Sequence, residues 1–229
     1  MSLLPGEMQA HKDLQVLMKM PKVAVLMEYL SKEYTELRAH SQATAYFTLL
    51  LDGDFSYDER MHIGLAALLH DAGKIPDRDF FRSPQRFVTP EEQARKRAHA
   101  RLGFYIARAM GYETEARIVV GDQEWMSTDR YPRNGLDRRT ANPNPGAHYP
   151  ISRSGKERRT HDPFIIAAQQ VCAVADVIVA CMEGKESRPY RPGPMHPSAI
   201  ESELYTNFLG DKSLIPKAIR VAERARINI

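Results

Sequence analysis

Apolar residues recur every three to four positions along most of the chain, which is the spacing of an amphipathic α-helix. The pattern predicts helices over residues 22–52, about 58–72, about 89–111, about 113–125, 162–183, 197–209 and 213–226. No convincing alternation of apolar and polar residues, as found in β-strands, interrupts it. The sequence therefore predicts an all-α protein with one domain over residues 1–229, in which 1–21 form an N-terminal extension.

The ends of two predicted helices carry specific signals. The sequence TPEE at 89–92 places a capping threonine before a proline at the first helical position and a glutamate at the third. This combination favours a helix start. Gly73 follows the apolar helix at 58–72 and is expected to end it, and Pro76 lies in the stretch at 74–89, which we expect to be irregular.

Residues 127–160 interrupt the helical pattern with four prolines and three glycines. An irregular stretch of this length inside a compact domain is either disordered or functional. Within it, residues 130–160 hold eight arginines and lysines against Asp137 and Glu157, so this segment carries +6 while the whole chain carries +3. A basic loop attracts anions, although a solvated loop with ordinary surface arginines explains the same composition.

The bulk composition is that of a globular protein, with 229 residues, 43% of them hydrophobic and 27% charged. No apolar run approaches the roughly 18 residues that a membrane-spanning helix needs. The first residues lack the order of a signal peptide. Cys172 and Cys181 lie in one apolar stretch, where we expect small core residues rather than a disulfide. We therefore expect a cytoplasmic protein.

Three titratable residues stand out because they interrupt apolar helices. His70 and Asp71 lie side by side at the end of the apolar sequence GLAALLHDAGK, and Asp176 lies inside VCAVADVIVA. A buried carboxylate without a partner is costly. Adjacent helix residues diverge by about 100°, so His70 and Asp71 converge on one atom only near the helix end, where a metal ion can lie.

Three further residues strengthen the interpretation as a metal site. Glu36 and His40 lie four residues apart on one face of a predicted helix, and His99 lies on another helix. Imidazole nitrogens and carboxylate oxygens together suit Fe, Mn, Zn or Mg. Each residue also has an ordinary explanation: a histidine bonded to a backbone carbonyl, a surface carboxylate, or an aspartate paired with an arginine. Their combination on separate helices favours a metal site in a helical bundle.

The order of these residues resembles the HD superfamily of metal-dependent phosphohydrolases. Within it, the sequence is most similar to the HD-GYP subfamily, whose members hydrolyse cyclic dinucleotides, notably cyclic di-GMP. The matching elements are ELRAH at 36–40, HDAGK at 70–74, HARLG at 99–103 and VADVIVACMEGKESRPYRP at 174–192. The resemblance covers about residues 36–220 and implies an HD-domain helical bundle with one long basic loop insertion.

One element departs from the subfamily pattern. Where the subfamily has HHExxDGxGYP, this chain reads DQEWMSTDRYP at 122–132. Asp122 and Gln123 stand in place of two histidines that help to hold a second metal ion in the subfamily. An aspartate oxygen can still bind a hard cation, whereas glutamine is a poor ligand.

The resemblance implies a phosphohydrolase in which a metal-activated water attacks phosphorus. The implied metal ligands are Glu36, His40, His70, Asp71, His99, Asp122 and Asp176. The implied catalytic residues are His70, Asp71 and Lys74, and the implied substrate contacts are Lys74, Arg188, Tyr190 and Arg191. The implied cofactor is one or two divalent ions of Fe, Mn, Ni, Zn or Mg.

Three functions are compatible with this pattern. The first is hydrolysis of a phosphodiester or phosphomonoester bond of a nucleotide, with cyclic dinucleotides such as cyclic di-GMP among the candidates. The second is a mononuclear HD nucleotidase, and the third is a degenerate HD-GYP sensor that binds without turnover. The intact His70, Asp71 and Asp176 favour an enzyme. The expected partner is a nucleotide phosphate; neither a membrane nor a nucleic acid is expected, and a homodimer is left open.

Overall fold

A computed structural model of the protein describes residues 4–51, 55–82, 89–121, 125–126, 162–183 and 193–227. Its helices are α1 (Pro5–Met18), α2 (Pro21–Glu33), α3 (Thr35–Leu50), α4 (Tyr57–Leu69), a 3-10 helix (Ala72–Asp77), α5 (Arg78–Arg82), α6 (Pro90–Ala109), α7 (Glu113–Val119), α8 (Pro163–Met182), α9 (Pro197–Asn207) and α10 (Leu214–Ile227). Within these ranges, extended pairing is limited to an isolated bridge between Met126 and Phe208. The predicted all-α class is confirmed. The basic loop at 127–160 lies outside the described residues.

Helix α8 lies at the centre of the core. It packs against α3, α4, α7, α9 and α10, and most of its residues are buried. By length and composition alone α8 could cross a membrane, yet 67% of its most apolar stretch lies buried inside the protein. Its apolar composition is thus explained by its place in the core. Cys172 and Cys181 are buried on α8 and form no disulfide with each other, as predicted.

Helix α1 is fixed to the core by an ion pair as well as by apolar packing. It packs onto α3 and α4 and buries Leu14 and Leu17. The carboxylate of Asp13 is buried too, and it pairs with the guanidinium of Arg60 on α4. A buried carboxylate needs such a partner. The segment predicted as an N-terminal extension is therefore largely a helix in contact with the core.

A single residue divides the helix predicted over 22–52. Helix α2 ends and α3 begins on either side of Tyr34, whose backbone angles are φ −155° and ψ 67°. Leu30, Tyr34 and Leu37 are all buried, so the apolar pattern continues through the break. Spacing alone predicts one helix here, because the buried apolar residues of α2 and α3 continue the same helical spacing across Tyr34.

Several predicted boundaries are confirmed. The hydroxyl of Thr89 accepts a hydrogen bond from the amide of Glu92 at 3.2 Å, and the amide of Thr89 donates to the Glu92 carboxylate at 2.9 Å. These two bonds form the expected capping box at the start of α6. The same helix ends at Ala109, just before Gly111 with φ +82°. Helix α7, in contrast, ends at Val119, earlier than the pattern predicts.

The end of α4 differs from the prediction. Helix α4 ends at Leu69 rather than at Gly73, and the 3-10 helix and α5 occupy part of the stretch predicted to be irregular. Pro76 has no amide N–H, and in an α-helix its ring would clash with the carbonyl four residues earlier, so the α-helix cannot continue undisturbed through this stretch. Gly73 lacks the positive φ of a left-handed helix stop. Its role is one of packing.

Gly73 allows the 3-10 helix to approach α6 closely. A Cβ atom added to Gly73 would lie 1.9 Å from the carbonyl oxygen of His99 and 2.5 Å from the amide nitrogen of Gly103. Atoms at these distances overlap, so a glycine is needed for this approach. The contact brings His99 beside the end of α4, where His70 and Asp71 lie.

We expect Gly73→Ala to destabilise the protein by about 1–3 kcal/mol or more, because the clashing atoms belong to backbone and cannot rotate away. Thermal denaturation of the metal-free protein, followed by circular dichroism, should show a Tm lower by roughly 2–12 °C. Gly6→Ala is the matched control, since a Cβ atom at Gly6 meets nothing within 4 Å. An unchanged Tm for Gly73→Ala would contradict the packing requirement.

Candidate metal centre

Five predicted site residues lie together where helices meet, and we call their side chains the polar cluster. His40 lies on α3, His70 and Asp71 directly follow α4, His99 lies on α6, and Asp176 lies on α8. The first four are buried, and the side chain of Asp176 is 20% exposed. So many titratable groups are stable in a protein interior only when they compensate one another or bind an ion.

His70 and His99 are held in the same way by their own helical segments. Nδ1 of His70 lies 2.7 Å from the carbonyl oxygen of Ala67, and Nδ1 of His99 contacts the carbonyl oxygen of Lys96. A carbonyl oxygen only accepts hydrogen bonds, so each Nδ1 carries the proton and donates it. Both Nε2 atoms are buried and have no hydrogen-bond partner among the described residues. In the neutral imidazole, Nε2 then carries a lone pair, and a metal ion can bind to that lone pair.

His40 is held between two carboxylates instead. Its Nδ1 lies 2.6 Å from Oε1 of Glu183, and its Nε2 lies 2.9 Å from Oδ1 of Asp176. Sequence reasoning missed Glu183, which caps the C-terminal end of α8. Its spacing of about two helical turns beyond Asp176, which puts the two residues on one face of the helix, is the signal that could have indicated it.

Asp71 lies between two groups of side chains. Its Oδ2 lies 3.4 Å from Nε2 of His70 and 3.7 Å from Nε2 of His40, and it contacts the ammonium of Lys74. Its Oδ1 lies 3.6 Å from Nε2 of His99. The two oxygens of one carboxylate thus face different histidines, as a ligand that bridges two ions would.

One part of the polar cluster has the geometry of a metal site. Ligand atoms of His40, His70 and Asp176 lie within 4.8 Å of one another. Two imidazole nitrogens and a carboxylate oxygen, with Asp71 beside them, form a donor set suited to a divalent transition metal. The buried Nε2 of His70 adds an orphaned donor atom at this place. The residues present therefore fit a divalent ion.

The carboxylates change the protonation of the histidines beside them. Burial by itself lowers the pKa of His70, but Asp71 and Asp176 outweigh burial and hold that pKa well above its usual value. Burial also opposes the raised pKa of His40, which its hydrogen bonds to Asp176 and Glu183 produce. The neighbouring histidines in turn hold the pKa values of Asp71 and Asp176 well below their usual range, against the effect of burial. In the metal-free cluster, protons on histidine balance the carboxylate charge.

His99 differs from the other two histidines. Burial lowers its pKa to about 4, because the attraction of Asp71 is too weak to offset burial and the ammonium of Lys74 repels a further proton. The imidazole of His99 is therefore neutral at pH 7. The ring of Phe81 packs edge-on against it, with 5.7 Å between the ring centroids. His99 thus presents a shielded, neutral imidazole nitrogen toward Asp71.

The remaining predicted site residues are placed as follows. Lys74 joins the polar cluster through its contact with Asp71. Glu36 lies one turn before His40 on α3, but its side chain is exposed, and its role as a ligand stays a prediction. Outside the described residues lie Asp122, Arg188, Tyr190 and Arg191.

A comparison with family models identifies the class of protein. The model of the HD domain matches residues 37–178, which is more than half of the chain and contains the whole polar cluster. The chain belongs to the HD domain family. HD domains as a class are metal-dependent phosphohydrolases, and the polar cluster supplies donors that fit such a site. Searches of the curated proteins and of the solved structures gave no match.

Binding of a divalent ion should release protons near pH 7. His70 carries a proton in the metal-free protein because its pKa is raised, and a ligating nitrogen must be unprotonated. The pKa of His40 is raised too, so calorimetric titration with Zn²⁺ in buffers of different ionisation enthalpy should report about one to two protons released per ion. The affinity should rise as the pH rises through the raised pKa. An affinity and a proton count that do not change with pH would contradict this assignment.

Proposed function

We propose that the protein hydrolyses a phosphate ester of a nucleotide by means of a divalent ion held at the polar cluster. The observation that carries this proposal is the convergence of His40, His70 and Asp176, whose ligand atoms lie within 4.8 Å of one another. Membership of the HD domain family supports the reaction class. In this proposal Asp71 completes the ligand set of the main ion.

The chain's own residues prepare this site for its ion and for a phosphate. The hydrogen bonds at Nδ1 fix His40, His70 and His99 so that each Nε2 faces a carboxylate of the cluster. Asp71 and Asp176 supply the negative charge that attracts a cation, and burial strengthens this attraction. When bound, a divalent ion lowers the pKa of a water ligand toward ~7 and offsets charge on a phosphoryl group.

Lys74 is the described residue best placed to contact a substrate phosphate. Its ammonium contacts Asp71 while its side chain remains 20% exposed, so the positive charge lies at the edge of the cluster. The ring centroid of Phe81 lies 5.7 Å from the Lys74 nitrogen. An ammonium beside a metal ion can bind a phosphate oxygen as a point charge. The resemblance adds Arg188, Tyr190 and Arg191 to this proposed substrate site.

A second and weaker ion position is proposed between Asp71 and His99. Oδ1 of Asp71 and Nε2 of His99 are 3.6 Å apart, and His99 is neutral at pH 7. Glu36 and Asp122 are proposed to complete this position on the grounds of the resemblance. Occupancy of both positions would make Asp71 a bridging ligand. We therefore propose one or two ions of Fe, Mn, Ni, Zn or Mg for each chain.

Two substrate classes follow from the two possible metal counts. The HD-GYP resemblance supports a cyclic dinucleotide such as cyclic di-GMP. A mononuclear nucleotidase is favoured by a different observation: the described part of the chain contains one group of three ligands, that of His40, His70 and Asp176. Metal analysis of protein purified without chelator separates these classes.

Replacement of His70 should abolish hydrolysis. We expect His70→Ala to lower activity on bis-p-nitrophenyl phosphate, cyclic di-GMP or a deoxynucleotide by at least about 10³-fold, because it removes a ligand of the main ion. His11→Ala is the matched control, since His11 is exposed on α1. The substrate that wild type turns over fastest identifies the class.

Other outcomes of the same panel decide against the proposal. Equal activity in His70→Ala and wild type would mean that the site lies elsewhere. Binding of cyclic di-GMP without turnover, by protein loaded with Mn²⁺ or Fe²⁺, would identify a sensor rather than an enzyme. A folded wild-type protein that takes up no ion would contradict the enzyme altogether.

Removal of the Lys74 charge should weaken substrate use without loss of the ion. We expect Lys74→Met to lower kcat/KM by about 10- to 100-fold, the effect of one lost hydrogen bond to a charged group. Metal content should be retained, because the substitution removes a positive charge beside Asp71. Lys12→Met, on the exposed side of α1, is the control. A wild-type kcat/KM in Lys74→Met would contradict the proposed phosphate contact.

A further inference from the structure

The three histidines of the polar cluster are not secured in the same way. His70 and His99 donate from Nδ1 to backbone carbonyl oxygens of their own segments. In both cases the acceptor is a backbone atom three residues earlier in the same segment. His40 on α3 depends instead on the side chain of Glu183, which belongs to the end of α8, with 2.6 Å between Nδ1 and Oε1. Two carboxylates of α8 therefore set the orientation of His40, and Glu183 is the one that binds Nδ1.

Glu183 is unfavourably placed for helix stability. It caps the C-terminal end of α8, where the helix dipole disfavours a negative charge. Its side chain is only 16% exposed, so the carboxylate has lost most of its contact with water. Both effects are unfavourable on their own. The hydrogen bond from His40 offsets part of this cost and connects the carboxylate to the polar cluster.

We propose that Glu183 is a positioning residue for the metal ligand His40. Its carboxylate accepts the Nδ1 proton, holds the ring so that Nε2 lies 2.9 Å from Oδ1 of Asp176, and leaves Nε2 as the nitrogen available to an ion. A carboxylate behind a ligating imidazole also strengthens the nitrogen as a donor, and loss of such a partner typically weakens metal binding 10- to 100-fold. The inference rests on the proposed metal site, and it assigns Glu183 no contact with the ion or the substrate.

Zinc affinity of the folded protein tests this role directly. Competition between the protein and a zinc-responsive dye gives the Kd for Zn²⁺ in wild type, Glu183→Ala and Glu183→Gln. We expect Glu183→Ala to raise the Kd about 10- to 100-fold. Glu183→Gln should lie between wild type and Glu183→Ala, because its amide oxygen still accepts the hydrogen bond but carries no charge.

The structure offers a matched control in a second histidine–glutamate pair. Nδ1 of His62 lies 2.6 Å from Oε1 of Glu115, a buried residue on α7 outside the polar cluster. Glu115→Ala therefore removes the same kind of bond and costs stability without touching His40. Its Kd for Zn²⁺ should stay within about twofold of wild type. If only the Glu183 variants lose affinity for Zn²⁺, the loss is due to the positioning of His40 and not to general destabilisation of the protein.

Nuclear magnetic resonance of protein labelled with ¹⁵N at histidine adds a readout independent of activity. Zinc-bound wild type should show His40 with a protected proton on Nδ1 and with Nε2 as the ligating nitrogen. In Glu183→Ala that proton should lose its protection. Absence of the Nδ1 proton in zinc-bound wild type would overturn the proposal, because Glu183 could then be a direct ligand instead.

The remaining outcomes are also decisive. A Kd for Glu183→Ala within about twofold of wild type would overturn the positioning role. Where Glu183→Ala fails to fold, Glu183→Gln decides: a Kd raised about threefold or more supports the role, and an unchanged Kd overturns it. Zinc binding that is lost in His70→Ala but unchanged in both Glu183 variants contradicts this inference alone. A wild type that binds no Zn²⁺ and no Mn²⁺ contradicts the proposed function together with it.

Discussion

The burial of the Asp71 carboxylate is the constraint on which the interior of this protein depends. Asp71 is 1% exposed and follows a helix whose last two turns are entirely buried. A charge at such depth requires partners of opposite sign or an ion. Those partners are His70 beside it, His40 from α3 and Lys74 from the 3-10 helix. The neutral imidazole of His99 on α6 faces the same carboxylate. These helices therefore meet at one point, and the resulting cluster of carboxylates and imidazoles also suits a cation.

Charge balance connects this architecture to function. Without an ion, protons on His70 and His40 compensate the carboxylates, as the raised pKa values of both imidazoles indicate. A bound divalent ion can balance the carboxylate charge in place of these protons, which are then released from the histidines. The HD domain family uses metal ions for phosphate chemistry as a class, and this chain brings together donor atoms that fit one ion. Substrate choice depends on groups around that ion, because sites rather than folds determine function.

Some residues of this site could be predicted from sequence, because they are titratable residues within helices that are otherwise apolar. Asp176 stands out inside an apolar helix, where a carboxylate is unexpected. Glu183 could not be recognised in this way, since a charged residue at a helix end looks like an ordinary surface boundary. Its role depends on a distance to α3 that only the folded chain fixes. The same limit explains the break at Tyr34 and the role of Gly73, where packing between elements rather than spacing along the chain decides the structure.

Anomalous X-ray diffraction from crystals grown with Mn²⁺ tests the central claim most directly, because it locates the ion without reference to activity. We expect an anomalous peak bounded by Nε2 of His40, Nε2 of His70 and Oδ1 of Asp176, with Asp71 within ligand distance. Each ligating histidine should keep Nδ1 turned away from the ion. A peak bounded by other residues, or no peak in the polar cluster of a folded protein, would contradict the account.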